Sequence, residues 1–315
     1  MTAIIILNWN GADDTLLCMD SLSRAEGCFF IVVADNGSTD DSVERLNSYI
    51  SQSSMDITLL ELNKNYGFAK GNNLAIACAS KRNPDSYLLL NNDTEVTPNF
   101  LVRIIEFQKN NPDYRVLTPR INFFYKKDVI WNCGGVLRFG FRKYKFAGCS
   151  EKKAIQKKYI PISFITGCAL FFMPDVLEND GSLLTERFFF GEEDFDFSIR
   201  MKRRRKKMVC VTDSVIYHKV GAASAGKSIP GKLYLHLLNR YVDMRLQYGN
   251  LFFLLWRIIN KPISFNHLKR EYGSARNAIN KLKHLERDSS CRESVNYEDF
   301  RKLVITDDYF NERNS

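Results

Sequence analysis

Four short apolar runs, each followed by a stretch of helical periodicity, constrain this chain more than any other feature. The runs predict strands at Ala3–Leu7, Phe29–Ala34, Ile57–Leu62 and Tyr87–Leu90. The intervening segments predict helices at Asp13–Arg24, Ser42–Ile50, Asn72–Ser80 and Asn99–Lys109. Apolar residues recur there at helical spacing, Asp13 or Asp14 supplies an N-cap, and Pro98 opens the last helix. Strands without polar alternation are covered on both faces, as in a mostly parallel sheet flanked by helices. The expected class is α/β. Ligands of such sheets bind beyond the carboxyl ends of the strands.

All four ends are polar. The first strand runs into Asn8-Trp9-Asn10-Gly11 and the second into Asp35-Asn36-Gly37-Ser38-Thr39-Asp40. The third leads to Asn65-Tyr66-Gly67-Phe68-Ala69-Lys70-Gly71-Asn72-Asn73, and the fourth ends in Asn91-Asn92-Asp93. These residue types are also turn formers, and a single such turn needs no further reason. Four on one sheet edge exceed what turns require and predict a ligand site. Asp35 can accept from a ribose hydroxyl or a base N–H. Gly67 and Gly71 let the backbone approach a bulky ligand. Asp93, a lone carboxylate after a buried strand, suits a divalent cation that would neutralise a diphosphate.

Beyond residue 115 the pattern loosens into short strand-like pieces, Arg115–Thr118, Val129–Trp131 and Ser163–Met173. A helix is expected from about Asp194, then strands at Met208–Val211 and Val215–Tyr217. Helices Leu233–Tyr248, Leu251–Ile259 and His267–Arg287 follow, and then a polar tail.

Composition removes several classes. The chain has 315 residues, 45% apolar and 26% charged, which suits an ordinary globular protein and not a disordered or collagenous one. No apolar run approaches the about 20 residues of a membrane-spanning helix. The segment from Met1 to Gly11 reads as a buried strand and not as a cleaved leader, so a cytoplasmic location is expected. Eight cysteines include no Cys-x-x-Cys pair and none at zinc spacing, which predicts buried thiols. A net charge of +9 favours an anionic partner: nucleic acid, acidic lipid or a phosphorylated substrate.

In order and spacing, the four strand-end motifs resemble those of family 2 glycosyltransferases of the GT-A fold. Thr166-Gly167-Cys168-Ala169, Phe189-Phe190-Gly191-Glu192-Glu193-Asp194-Phe195-Asp196 with Arg200, and His218 extend the likeness over roughly residues 3–245. The branch it looks most like is the rhamnosyltransferase-like one, which builds bacterial surface polysaccharides. The resemblance implies a GT-A-like domain at 1–245 and a helical C-terminal extension at 246–315. It implies an inverting transferase that uses a nucleotide-diphosphate sugar with Mg²⁺ or Mn²⁺. Carried over, Asp35 binds the nucleoside, Asp93 is the metal ligand, and His218 is a second metal or diphosphate ligand. Asp194 is the catalytic base. Asn8, Asn10, Asn36, Gly37, Ser38, Asn65, Gly67, Lys70, Gly71, Asn72 and Asn92 line the donor, while Gly167, Glu193 and Asp196 face the acceptor. Many members carry two acids where this chain has Asn91-Asn92-Asp93, with one.

The acidic cluster also has a physical reading of its own. A carboxylate after Phe188-Phe189-Phe190 is partly desolvated and thereby a better base. Acids at a helix start equally complement the dipole. Arg200–Lys207 holds seven Lys/Arg in eight residues, either a solvated helix end or a patch for anionic lipid. The acceptor would then be a glycan or a polyprenyl-linked sugar, with the enzyme peripheral on the inner face of the plasma membrane. Leu251–Arg257 reads as an interfacial segment or as a core helix. Two rivals remain. Gly221–Ser228 matches the phosphate-loop pattern of nucleotide triphosphatases, but Pro230 and Gly231 stand where its helix should begin. A basic nucleic-acid-binding module would interleave aromatics with its cations, and here the aromatics lie in apolar runs, so no nucleic-acid partner is expected. Processive synthases of this fold carry Gln-x-x-Arg-Trp, which Leu237–Tyr241 does not match, so addition of one or a few sugars is expected.

Overall fold

The computed structural model describes residues 1–154, 156–220, 230–306 and 309–310. In chain order the elements are β1 (Thr2–Asn8), α1 (Ala12–Leu22), β2 (Phe29–Asp35), α2 (Ser42–Gln52), β3 (Ile57–Glu61), α3 (Phe68–Ser80), β4 (Ser86–Asn91), β5 (Thr94–Val96) and α4 (Phe100–Asn110). Then come β6 (Tyr114–Phe123), β7 (Lys126–Asn132), β8 (Gly135–Arg138), β9 (Phe141–Tyr144), α5 (Glu151–Ala154), β10 (Tyr159–Ile162) and β11 (Ala169–Phe172). The chain closes with α6 (Glu193–Arg203), β12 (Lys207–His218), α7 (Pro230–Tyr272), α8 (Ala275–Cys291) and α9 (Tyr297–Phe300). Two compact units form: Met1–Leu184 with Phe197–Ala222, and Thr185–Asp196 with Ala223–Ser315.

The first unit holds one large sheet in the order β10-β12-β6-β11-β4-β1-β2-β3. β1 runs parallel to β2 and β4, and β6 parallel to β12; β11 lies antiparallel between β4 and β6. The expected α/β class with a mostly parallel sheet is thus observed. Successive β1 residues serve opposite faces, Ala3 and Ile5 one core and Ile4 and Ile6 the other. Each of these isoleucines is fully buried, and burial of such a side chain stabilises by about 1.5–3 kcal/mol. That two-sided burial is why the strands read as unbroken apolar runs.

Several elements differ from the sequence expectations. The helix expected over His267–Arg287 is split between α7 and α8 at Gly273, with φ +76°. The N-cap of α1 is Gly11, with Asp13 and Asp14 inside the first turn. Helix α3 starts at Phe68 and not at Asn72, so Lys70 and Gly71 lie on its first turns. The stretch expected as a strand over Ser163–Met173 pairs only at Ala169–Phe172. The two pieces at Met208–Val211 and Val215–Tyr217 are one strand, β12, with a register shift between Val211 and Val215 against β6.

In the second unit α7 begins at Pro230, so Pro230 and Gly231 do not interrupt a helix; proline is pre-organised for a first helical turn. The phosphate-loop match at Gly221–Ser228 lies outside the described residues. α7 is broken once, at Gly249 with φ +75°. The tail beyond Arg287 is not simply polar, because Val295, Leu303 and Tyr309 are buried. Among the described residues, no helix is long and apolar enough to cross a membrane.

Candidate active site

The carboxyl ends of β1, β2 and β4 are level, because the parallel register pairs Asn8 with Asp35 and Leu7 with Asn91. The predicted polar residues therefore share one edge. Asn8 Nδ2 donates to Asp35 Oδ1 at 2.8 Å. Ser38 closes the turn, its Oγ donating to Oδ1 at 2.6 Å and its N to Oδ2 at 2.9 Å. Asp35 is 1% exposed, so three donors hold this carboxylate still. Asn10 lies over the same turn, accepting from Thr39 N at 2.8 Å and donating its own N to Ser38 Oγ at 2.9 Å.

Asn36 ties this turn to the loop before α3. Its Nδ2 donates to Asn65 Oδ1 at 3.0 Å and Gly67 O at 3.2 Å, and its Oδ1 accepts from Tyr66 N at 3.0 Å. The loops touch only because Gly37 lacks a Cβ: its φ is +69°, and a Cβ would stand 2.4 Å from Lys64 Cα. At Gly71 the room left by the missing Cβ is taken by Leu7, whose Cδ1 would lie 2.7 Å away. Asn72 is buried and donates to Phe68 O at 2.9 Å. Lys70 Nζ stands 5.6 Å from the Tyr66 ring centroid. Gly167 packs against the Phe68 ring. Much of the predicted donor set is thus a hydrogen-bonded scaffold that shapes the edge.

Asp93 and His218 meet at the end of β4. β5 turns back and pairs antiparallel with β12, setting Thr94 opposite His218. Asp93 Oδ1 then lies 3.0 Å from His218 Nε2, with side-chain exposures of 18% and 9%. Trp131 packs on the imidazole at 4.4 Å between centroids. Lys219 N donates to Asp93 O at 3.0 Å, and its Nζ to Asp14 Oδ1 at 2.6 Å. Burial alone would strip the proton from His218, but Cys168 and Asp93 outweigh it and push the imidazole up to about 10. The Cys168 thiol is itself pushed up by burial.

This corner fits a divalent cation. One carboxylate oxygen and one imidazole nitrogen converge there. Among the described residues no three His, Cys, Asp or Glu gather around one point, so diphosphate oxygens and water would complete the shell. The sign of the pH dependence follows. His218 has a folded pKa above the ordinary 6.5, so its contribution to stability is complete below 6.5 and fades as pH rises towards about 10. In chelator, wild-type Tm should decline over that window relative to His218→Gln. Divalent-cation binding should strengthen over the same window, because the imidazolium must lose its proton to ligate. Equal pH profiles for the two proteins would refute the pairing.

In the second unit the acids at the start of α6 divide in two. Glu193 and Asp194 are partly exposed, whereas Glu192 and Asp196 are buried. Glu192, at φ +77°, is clamped by Arg240, whose Nε and Nη2 donate to its two oxygens. The Arg240 guanidinium also lies 3.3 Å from the Phe195 ring centroid. Asp196 accepts from Gln247 Nε2. Asp243 is fully buried, and burial, with repulsion from Asp196 and Glu192, pushes its carboxyl well above the usual carboxylate range. The phenylalanines before this cluster do not simply wall it: Phe189 packs edge-on or tilted against Tyr297 and Phe300, and Phe190 packs tilted against His236 and Phe300.

Several contributors escaped the sequence reading. Thr15 bridges two strand ends, donating to Asn8 Oδ1 at 2.7 Å and accepting from Asn92 Nδ2 at 3.0 Å. Arg240, Asp243 and Gln247 recur at helical spacing as polar breaks in an apolar face, which was a usable signal. Trp131 carried none.

The profile described as Glycosyl transferase family 2 matches residues 3–181. No curated protein matches in sequence. Among solved structures, GalNAc-T7 with UDP, GalNAc and Mn²⁺ superposes with a TM-score of 0.59 at 15% identity, covering 99% of this chain and 57% of that one. S. aureus TarS 1–349 in complex with UDP-GlcNAc gives 0.57 at 14%, covering 99% and 92%. The mannosyltransferase PcManGT from Pyrobaculum calidifontis, in complex with GDP-Man and Mn²⁺, gives 0.56 at 13%, covering 92% and 74%. The chain spans only 43% of the longer TarS chain. At these identities the likeness is one of fold.

Proposed function

Because this chain belongs to glycosyl transferase family 2, we propose that it moves a hexosyl group, with inversion, from a nucleotide-diphosphate sugar to a hydroxyl of a glycan or polyprenyl-linked acceptor. The setting we assign is bacterial surface-polysaccharide synthesis at the inner face of the plasma membrane, in the rhamnosyltransferase-like branch. The transferase domain is taken as 1–245 and the helical extension as 246–315. One observation carries the reading: the largely buried Asp93–His218 pair, with His218 the deeper of the two, stands on the same strand-end edge as the Asn8–Asp35–Ser38 network. An acidic and imidazole pair beside a rigid polar cradle suits a cation and a nucleoside diphosphate.

In this mechanism Asp35 orients the nucleoside, and the turn at Ser38 keeps its carboxylate in place. Asp93 and His218 would hold the cation, Mg²⁺ or Mn²⁺, with the imidazole nitrogen favouring Mn²⁺. When bound, the cation supplies positive charge to the leaving diphosphate. Asp194 accepts the proton of the acceptor hydroxyl as that oxygen attacks the anomeric carbon from the face opposite the leaving group. Glu192, Asp196, Arg240 and Asp243 fix the helix start that carries Asp194.

A thermal-shift series with UDP-, GDP- and dTDP-sugars, in Mn²⁺ or in chelator, tests the reading. One donor should raise Tm with Mn²⁺ and not in chelator; a ligand at a hundred times its Kd adds about 2.7 kcal/mol. Asp93→Asn, an isosteric change at a strand end, should abolish that shift. At neutral pH it should also lower the unliganded Tm, because His218 loses the carboxylate that holds its proton. No response to any donor, or the same response in Asp93→Asn, would remove Asp93 from a donor site.

A further inference from the structure

The half of α7 beyond the Gly249 break is apolar on both sides. Phe253, Trp256 and Leu268 are buried on its inner face. On the opposite face Leu251, Leu254, Leu255, Ile258, Ile259 and Ile263 lie open, Leu251 at 76% and Ile258 at 62% exposure. Their three- and four-residue spacing makes one continuous stripe, about 18 Å long at 1.5 Å per residue. Scattered surface leucines need no explanation, but a rimmed stripe does.

We propose that this face is a membrane-docking surface that lies in the headgroup region of an anionic lipid bilayer. Charge chooses the occupant. Between Met244 and Arg270 the sequence has no Asp or Glu, while Arg257, Lys261, Lys269 and Arg270 accompany the stripe. Lys261 pairs with Glu286 of α8 at 3.0 Å; among the described residues Arg257, Lys269 and Arg270 form no ion pair. An apolar face accompanied by cations and free of acids is the pattern of a helix lying in an anionic interface. A second copy docked about a two-fold axis would instead bring like charges together. The basic run on α6 is a poorer lipid surface, since Arg200, Arg204, Lys206 and Lys207 are spent on Glu178, Asp175 and Asp113.

The inference needs no donor or acceptor, so its test is independent of the transferase reading. The full chain is sedimented with vesicles of phosphatidylglycerol and phosphatidylcholine, and with phosphatidylcholine alone. Binding should favour the anionic vesicles and weaken as salt rises. Leu255→Asp with Ile258→Asp should lower the partition coefficient about a hundredfold, with circular dichroism and Tm as for wild type. Should that pair unfold the chain, Ile258→Gln gives the gentler form of the same loss. Equal pelleting with neutral and anionic vesicles, pelleting unchanged by the substitutions, or a solution dimer that they dissociate would each overturn the proposal.

Discussion

Replacing Asp194 by asparagine should slow sugar transfer by about 10²–10⁴-fold, the range a positioned general base supplies. The readout is nucleoside diphosphate release from the donor that the thermal-shift series identifies. Donor and cation binding should survive, because Asp35, Asp93 and His218 belong to the strand-end edge. The neighbours separate catalysis from helix capping. Glu193→Gln should cost less, and Asp196→Asn should act through stability, because Asp196 is buried and bonded to Gln247. A carboxylate that served only the helix dipole would lose about 0.3–1 kcal/mol of stability and little rate. An Asp194→Asn protein that melts lower but turns over normally when folded would therefore return that residue to a structural role.

The second large effect concerns Arg240. Its guanidinium pairs with Glu192 and offsets part of the repulsion at Asp243. Arg240→Ala leaves Glu192 buried without its partner, and breaking a buried pair in this way costs about 3–5 kcal/mol. Against a total stability of about 5–15 kcal/mol, that should lower Tm sharply. Changing both partners, Arg240→Met with Glu192→Gln, should recover part of the loss, because Glu192 no longer leaves a buried charge unpaired although Asp243 still loses its neighbouring cation. Asp243 should behave in the opposite sense. Its carboxyl is raised in the folded state, so folding loses stability as pH climbs above the ordinary 3.8. Asp243→Asn removes that penalty and should match or exceed wild type in urea melts at pH 7. A strongly destabilised Asp243→Asn would show that the carboxyl is ionised and paired.

The fold was legible because the parallel strands are buried on both faces, which leaves an unbroken apolar signature at β1, β2 and β4. The strand-end edge was legible too, since Asn and Asp at four strand ends exceed what turns need. Boundaries were less so. α3 begins at Phe68 because Gly67 and the Asn65 amide close the preceding loop, and Gly71 on its first turns reads as a loop residue. Ser163–Ile165 looks like a strand by composition, yet its partner is a single bridge at Gly135. Pro230 reads as a breaker unless it is known to stand first in a helix.

What the sequence by itself determined was the layer architecture and which residue types arrive at the sheet edge, because both follow from local periodicity. Only the tertiary structure decided what those residues do. Asn36 and Asn65 spend their amides on loops. Asp93 meets His218 across 124 intervening positions because β5 folds back onto β12. Of four neighbouring acids, Glu192 and Asp196 are buried while Glu193 and Asp194 are partly exposed. These outcomes depend on strand register and on which helix packs over which turn. Such long-range pairings leave no periodic trace in the chain.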